Sequence, residues 1–159
     1  MFRDNLLFVG SETRCYALDY SSFACKEIDL SHMDNKYPTC VELFSQEPFI
    51  ALGCSDGAIV MWNVESWTFE KRVLHYHKPI VALHSYNVGS NSFLIGFYSD
   101  STVYKWRVTG QDLTMESKSD VKGSPETQAV SYNAAEKRFV ITTDKYDCHK
   151  HQNADQIGE

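Results

Sequence analysis

The amino-acid sequence repeats itself at a fixed interval, and few folds accommodate that constraint. Three segments align on one another: LLFVGSETRCYALDY, FIALGCSDGAIVMWNV and FLIGFYSDSTVYKWRV. Each is an apolar run containing or ending in glycine, then a polar turn carrying an acid, then a second alternating run. The turn acids Glu12, Asp56 and Asp100 stand 44 residues apart, and so do Leu18, Trp62 and Trp106. One further step of 44 reaches Asp144 in a weaker fourth copy, with Lys150 in the tryptophan's place. A period of this size marks an array of small units, each leaving a face for its neighbour to bury.

Runs such as 49–52 and 59–62 are rich in β-branched and bulky apolar residues and end at turn formers, which predicts strands. Ser55, Asp56 and Gly57 form a tight turn that brings two runs side by side. Further strands are expected at 39–44, 80–85 and 127–132 before these hairpins, and at 24–30, 68–74 and 113–118 after them. Four strands per unit of about 40–45 residues describe a propeller blade. The expected fold is therefore all-β, with blades at approximately 1–37, 38–78, 79–122 and 123–151 and a polar tail at 152–159. In this register the chain enters at the second strand of a blade and leaves at the third, so about three and a half blades are expected. An arc of that size leaves flanks wet. A fragment, a splice product and a diverged open propeller all fit, and each needs further blades or a partner chain to close a ring.

SDGAIVMWNV and SDSTVYKWRV resemble the WD-repeat signature, in which an acid precedes a tryptophan by six residues. The aspartate of the WD dipeptide is Asn63 in one copy, Arg107 in the next and Asp19 in the first. His77 resembles the histidine of the family's GH step, with Tyr76 replacing the glycine. The resemblance implies a buried hydrogen-bonded set in which Asp100 and Trp106 are joined by His77 and by Ser85, with Asp56 and Trp62 as the corresponding pair one unit earlier. Such residues hold strand register and are architectural, since an unpaired buried polar group is costly. The order and spacing of LLFVGSE, IALGCSDGAIVMWNVES and SDSTVYKW is also similar to the amino-terminal propeller of the lethal giant larvae and tomosyn group. That likeness implies non-enzymatic work in polarity or exocytosis with SNARE partners.

Function classes narrow by elimination. A net charge of −6 without a cluster of basic residues argues against nucleic acid as a partner. The early apolar run at 6–9 is too short for a signal-peptide core, and no stretch approaches a membrane span, so a cytoplasmic protein is expected. Five unpaired-looking cysteines fit a reducing compartment. Cys148, His149 and His151 are metal-binding types, but strand alternation sets the cysteine opposite the histidines and no second pair stands elsewhere. Ser99, Asp100 and Ser101 repeat the turn chemistry at Ser55 and Asp56 rather than a nucleophile and its partner, and no glycine-rich phosphate loop is present. No enzyme, cofactor or metal is expected. The reading is a scaffold for other proteins, with Phe44, Trp67, Tyr86 and Tyr98 as aromatics at turns or strand ends. Trp67 serves either as an interface anchor or as packing across the blade edge onto a neighbour.

Overall fold

The protein is described by a computed structural model covering residues 6–10, 14–19, 21–33, 36–121, 126–133, 135, 138–143 and 148–153, excepting the side chains of 6, 7, 9 and 148–153. The expected positions Glu12 and Asp144 lie outside these residues, as do the side chains of Lys150, Cys148, His149 and His151.

Alternating and fully apolar runs form fourteen described strands in chain order: β1 Leu6–Gly10, β2 Cys15–Asp19, β3 Cys25–Ile28, β4 Pro38–Leu43, β5 Phe49–Cys54, β6 Ala58–Asn63, β7 Thr68–Leu74, β8 Ile80–Val88, β9 Asn91–Tyr98, β10 Thr102–Thr109, β11 Asp112–Asp120, β12 Thr127–Asn133, β13 Arg138–Thr143 and β14 Cys148–Asn153. They make four antiparallel sheets, ordered β1-β2-β3, β4-β5-β6-β7, β8-β9-β10-β11 and β12-β13-β14. Two complete blades are thus flanked by two three-stranded ones, the about three and a half blades the repeat predicts. A short 3₁₀ turn, Ser31–Met33, links the first sheet to the second.

The second, third and fourth sheets meet at their first strands, with β8 touching β4 on one side and β12 on the other. Three apolar clusters fill the spaces between neighbours. One joins the first and second sheets through Cys15, Ile28 and Met33 against Ile50, Leu52, Val60 and Trp62. Another joins the second and third through Ala51, Ile59 and Met61 against Leu94, Tyr98, Tyr104 and Trp106. Ile95, Phe97 and Val103 meet Phe139 and Ile141 in the last. Among the described residues no cluster joins the fourth sheet to the first, so the arc is open.

Irregularities repeat as faithfully as the strands do. The first pair of each of the later three sheets slips by one residue, between Pro38 and Cys40, Ile80 and Ala82, and Thr127 and Ala129. The extra residue Thr39 turns its hydroxyl to the carbonyls of Gly53 at 3.0 Å and Ile80 at 2.5 Å, tying two blades together. A second slip falls at Trp62 and at Trp106, between Met61 and Trp62 and between Lys105 and Trp106. Such bulges add local twist and re-aim side chains, here at the site where the bulkiest residue must meet the neighbouring sheet.

Candidate functional site

The polar side chains singled out by the repeat are drawn into architecture. Asp100 accepts from the amide of Thr102 at 3.2 Å and from the hydroxyl of Tyr76 at 2.5 Å. Burial opposes ionisation of Asp100, yet the hydrogen bonds from Tyr76 and Thr102 outweigh it and hold the carboxyl below its ordinary range. Trp106, fully buried, donates from Nε1 to Nδ1 of His75 at 2.9 Å. The histidine of this set is therefore His75 and not His77 two residues further on; both are exposed, and it is His75 that meets the indole. The segment after β7 lays His75 over the indole, while Tyr76 packs edge-on against Tyr98 with ring centroids 5.2 Å apart. Ser85 also leaves the expected set: its amide and hydroxyl both donate to Glu42 at 2.7 Å.

The corresponding set one blade earlier is completed otherwise. Asp56 accepts from the amide of Ala58 at 3.1 Å and pairs with Arg72 of its own sheet. Trp62 is buried, and its Nε1 alone among described buried side-chain polar atoms lacks a hydrogen-bond partner.

Glu42, Ser85 and His84 are the described cluster closest to a catalytic constellation. Burial pushes the Glu42 carboxyl up in pKa despite the bonds from Ser85, and burial pushes His84 down. The geometry is wrong for a nucleophile relay. Ser85 gives its hydroxyl proton straight to the acid, and His84 Nδ1 stands 3.9 Å from the same carboxylate oxygen rather than between serine and acid. The imidazole instead lies against Tyr132 and Phe139, at centroid distances of 4.1 and 5.2 Å. These contacts run β4 to β8 to β12, so the cluster holds the inner strands of successive blades. Asn87 and Ser45 add a hydrogen bond of the same kind at 2.7 Å. Among the described residues no three His, Cys, Asp or Glu side chains are placed to hold a metal ion. Burial holds the thiols of Cys40 and Cys54 up at about 12, which makes them poor nucleophiles.

The aromatics expected at the surface divide. Tyr98 and Phe44 are buried in the cluster between the second and third sheets, which corrects their assignment to the surface. Tyr98 ends its strand but faces the neighbouring blade, and its hydroxyl reaches the carbonyl of Gly57 at 3.4 Å, so the ring is buried without stranding its polar tip. Tyr86 is half-buried and stacked on Phe93 at 5.2 Å. Trp67 packs across onto the first sheet: Nε1 donates to the carbonyl of Glu27 at 3.4 Å, and Lys26 Nζ sits 5.0 Å from its ring. Two exposed aromatics among the described residues, Tyr37 and Phe23, escaped sequence reading. Phe23 is 79% exposed and stands 44 residues before Trp67.

No family model matches the chain. It is similar to a TSET complex member of Dictyostelium discoideum, 34% identical over 117 residues, covering 72% of this chain but 10% of that protein. The chain thus spans about a tenth of the length of this relative. Among solved structures it is similar to a chain of the mitotic checkpoint complex, with a TM-score of 0.67 at 14% identity over 86% of this chain and 41% of that one. The computationally designed Ika4 protein matches with a TM-score of 0.65 at 14% identity over 96% of this chain and 88% of its own. The designed Ika8 protein gives 0.65 at 14% identity, over 94% of this chain and 43% of its own. At such identities the likeness is one of fold, and the fold is that of a β-propeller.

Proposed function

We propose that the chain is a non-catalytic β-propeller module that docks other proteins as a subunit of a multiprotein assembly of the TSET type. The observation that carries this reading is the 34% identity over 117 residues with a TSET complex member. The spent chemistry of the described residues supports it. Asp56, Asp100, His75, Glu42 and Ser85 are each engaged in holding strands or blades. WD-type repeats and partners of the SNARE type are finer expectations that rest on the ordered sequence motifs, and a cytoplasmic location is one that rests on the short early apolar run and the cysteine pattern. No helix of the described residues is long and apolar enough to cross a membrane.

Native purification of the tagged chain from its own cells tests the proposal. The expected result is a particle well above the 18.2 kDa of the chain, with a fixed set of co-purifying subunits in constant ratio. A chain that elutes alone at its own mass, or with variable and substoichiometric companions, overturns it.

A second reading, an arc that depends on a partner for part of its burial, is favoured by the exposure of Phe23 on the outward flank of the first sheet.

A further inference from the structure

Val60, Trp62, Trp67 and Phe69 belong to the flank by which the second sheet meets the first, beside Ile50, Leu52, Cys54 and Ala58. Counting back 44 residues from Val60, Trp62, Trp67 and Phe69 gives Tyr16, Leu18, Phe23 and Cys25 on the first sheet, apolar or weakly polar side chains all four, while Ala58 counts back to the exposed Arg14 at the strand's edge. The two turns that carry the central aromatics are built alike. Asp19 Oδ1 accepts from the amides of Ser21 at 2.9 Å and Ser22 at 3.3 Å, and Asn63 Oδ1 accepts from Glu65 at 2.9 Å and Ser66 at 3.1 Å. Both turns then place an aromatic in the left-handed region, Phe23 at φ 58° and Trp67 at φ 61°, where side-chain-bearing residues are uncommon. The turn itself does not call for an aromatic, because the third sheet closes its own through Gly110 and Gln111.

What differs is the cover. Trp67 lies against β3 beneath Lys26, whereas Phe23 is 79% exposed and Cys25 is exposed beside it. We propose that the flank formed by Tyr16, Leu18, Phe23 and Cys25 is a docking surface for one further propeller-type sheet. The partner face is the kind the first sheet itself presents to Trp62 and Trp67. It carries small and aliphatic residues, like Cys15, Ala17 and Ile28, with a basic side chain over the aromatic ring in the manner of Lys26. An aromatic on a preset turn, facing a flat apolar surface and capped by a cation, is the anchor pattern of protein interfaces. This inference rests on the docking-module reading and names the surface and the chemistry of its partner.

The chain's own first sheet is the probe. Leu7 pairs with Leu18 as Ile50 pairs with Trp62, so a tandem chain that repeats residues 1–49 ahead of Leu7 sets an added β1–β3 upstream of the flank. The added copy carries Cys25→Ser, and peptide mapping after N-ethylmaleimide treatment follows the remaining Cys25. Labelling is expected to slow by about tenfold relative to the parent chain, and Phe23→Ser in the original copy to restore it. Parent-rate labelling in a tandem chain with native near-ultraviolet circular dichroism overturns the proposal. Should the tandem chain not fold, bis-ANS binding to the parent decides: Phe23→Ser is expected to remove about half the signal, and an unchanged signal overturns the proposal. A parent chain that dimerises only with Phe23 intact would assign the flank to a second copy and overturn the stated partner. None of these readouts depends on the subunit purification, so the two proposals fail separately.

Discussion

Trp62 and Trp106 occupy the same place in successive sheets, each opposite a strand slip and six residues after an aspartate, yet their surroundings finish the job differently. In the third sheet the preceding linker supplies both partners, His75 for the indole and Tyr76 for Asp100. In the second sheet the linker arrives with Ser31 and His32 instead. His32 stacks on Phe69 at 4.2 Å, the indole is left without a partner, and Asp56 turns to Arg72 within its own sheet. The frame is thus a strand-and-turn property, while the polar network is contributed by whatever segment crosses it.

The turns offer the hardest test of that equivalence. Gly57 and Ser101 stand 44 residues apart, both in the left-handed region at φ 89° and 67°. A side-chain carbon on Gly57 would meet the carbonyl oxygens of Tyr76 at 2.1 Å and Lys78 at 2.5 Å, both backbone atoms that cannot swing aside. Ser101 has room, and its hydroxyl is hydrogen-bonded to that of Thr127 at 3.1 Å. Gly57→Ser is expected to cost about 3–5 kcal/mol in urea unfolding, and Ser101→Gly to stay within about 1 kcal/mol as relieved strain offsets the lost bond. Equal costs would mean the two turns are not held by the same surroundings.

Next in size is the contrast between the indoles. Trp106→Phe loses ring volume and a made hydrogen bond, whereas Trp62→Phe loses ring volume but also removes an unsatisfied buried donor. Trp106→Phe should be the more destabilising by about 1–3 kcal/mol at unchanged m-value. The reverse order would show that Trp62 has a partner in solution.

Acid provides a test of Asp100. Because hydrogen bonds hold the folded-state pKa of Asp100 below its ordinary value, its contribution is complete above the unfolded pKa near 4 and is lost as pH falls through the lower folded one. Asp100→Asn should therefore flatten the acid limb of the stability curve between pH 5 and pH 3, on the order of these pKa values. An unchanged limb would place the acid sensitivity elsewhere, for instance at Asp19, held at about 2 by the hydroxyl and amide of Ser21.

The smallest effect concerns His75, whose pKa is lowered by burial and whose Nδ1 must be unprotonated to accept from Trp106. Its contribution is present above about pH 6.5 and lost as pH falls through the lower folded pKa. Because His75 is exposed and solvent screens its charge, the parent should lose only about 0.5 kcal/mol or less beyond His75→Ala between about pH 7.5 and 5.5, measured by urea midpoints. Retention of the full pH dependence in the variant would assign it to His84, the other histidine that burial lowers.

Much of this architecture was legible before any coordinates. The period placed the hairpins, the number of blades and the incomplete outer two, and it marked Asp56 and Asp100 as turn residues. Positions one residue apart were harder. His75 and His77 both look suitable on an alternating segment, and only the path of the chain past β7 decides which ring meets Trp106. Tyr98 looked like a surface aromatic because a strand ends there, but its orientation depends on the neighbouring sheet. Glu42 carries no motif at all, and its role comes from Ser85, 43 residues away. Phe23 was legible in principle, since it stands one 44-residue period before Trp67.

By itself the sequence determined what is local: strand alternation, turn residues and the 44-residue spacing, because these follow from backbone sterics and from the two-residue period of a sheet. Tertiary structure decided which polar groups found one another and which apolar flank stayed uncovered. Those outcomes depend on distances between blades, and on the cost of leaving a buried donor unpaired, neither of which any single repeat contains.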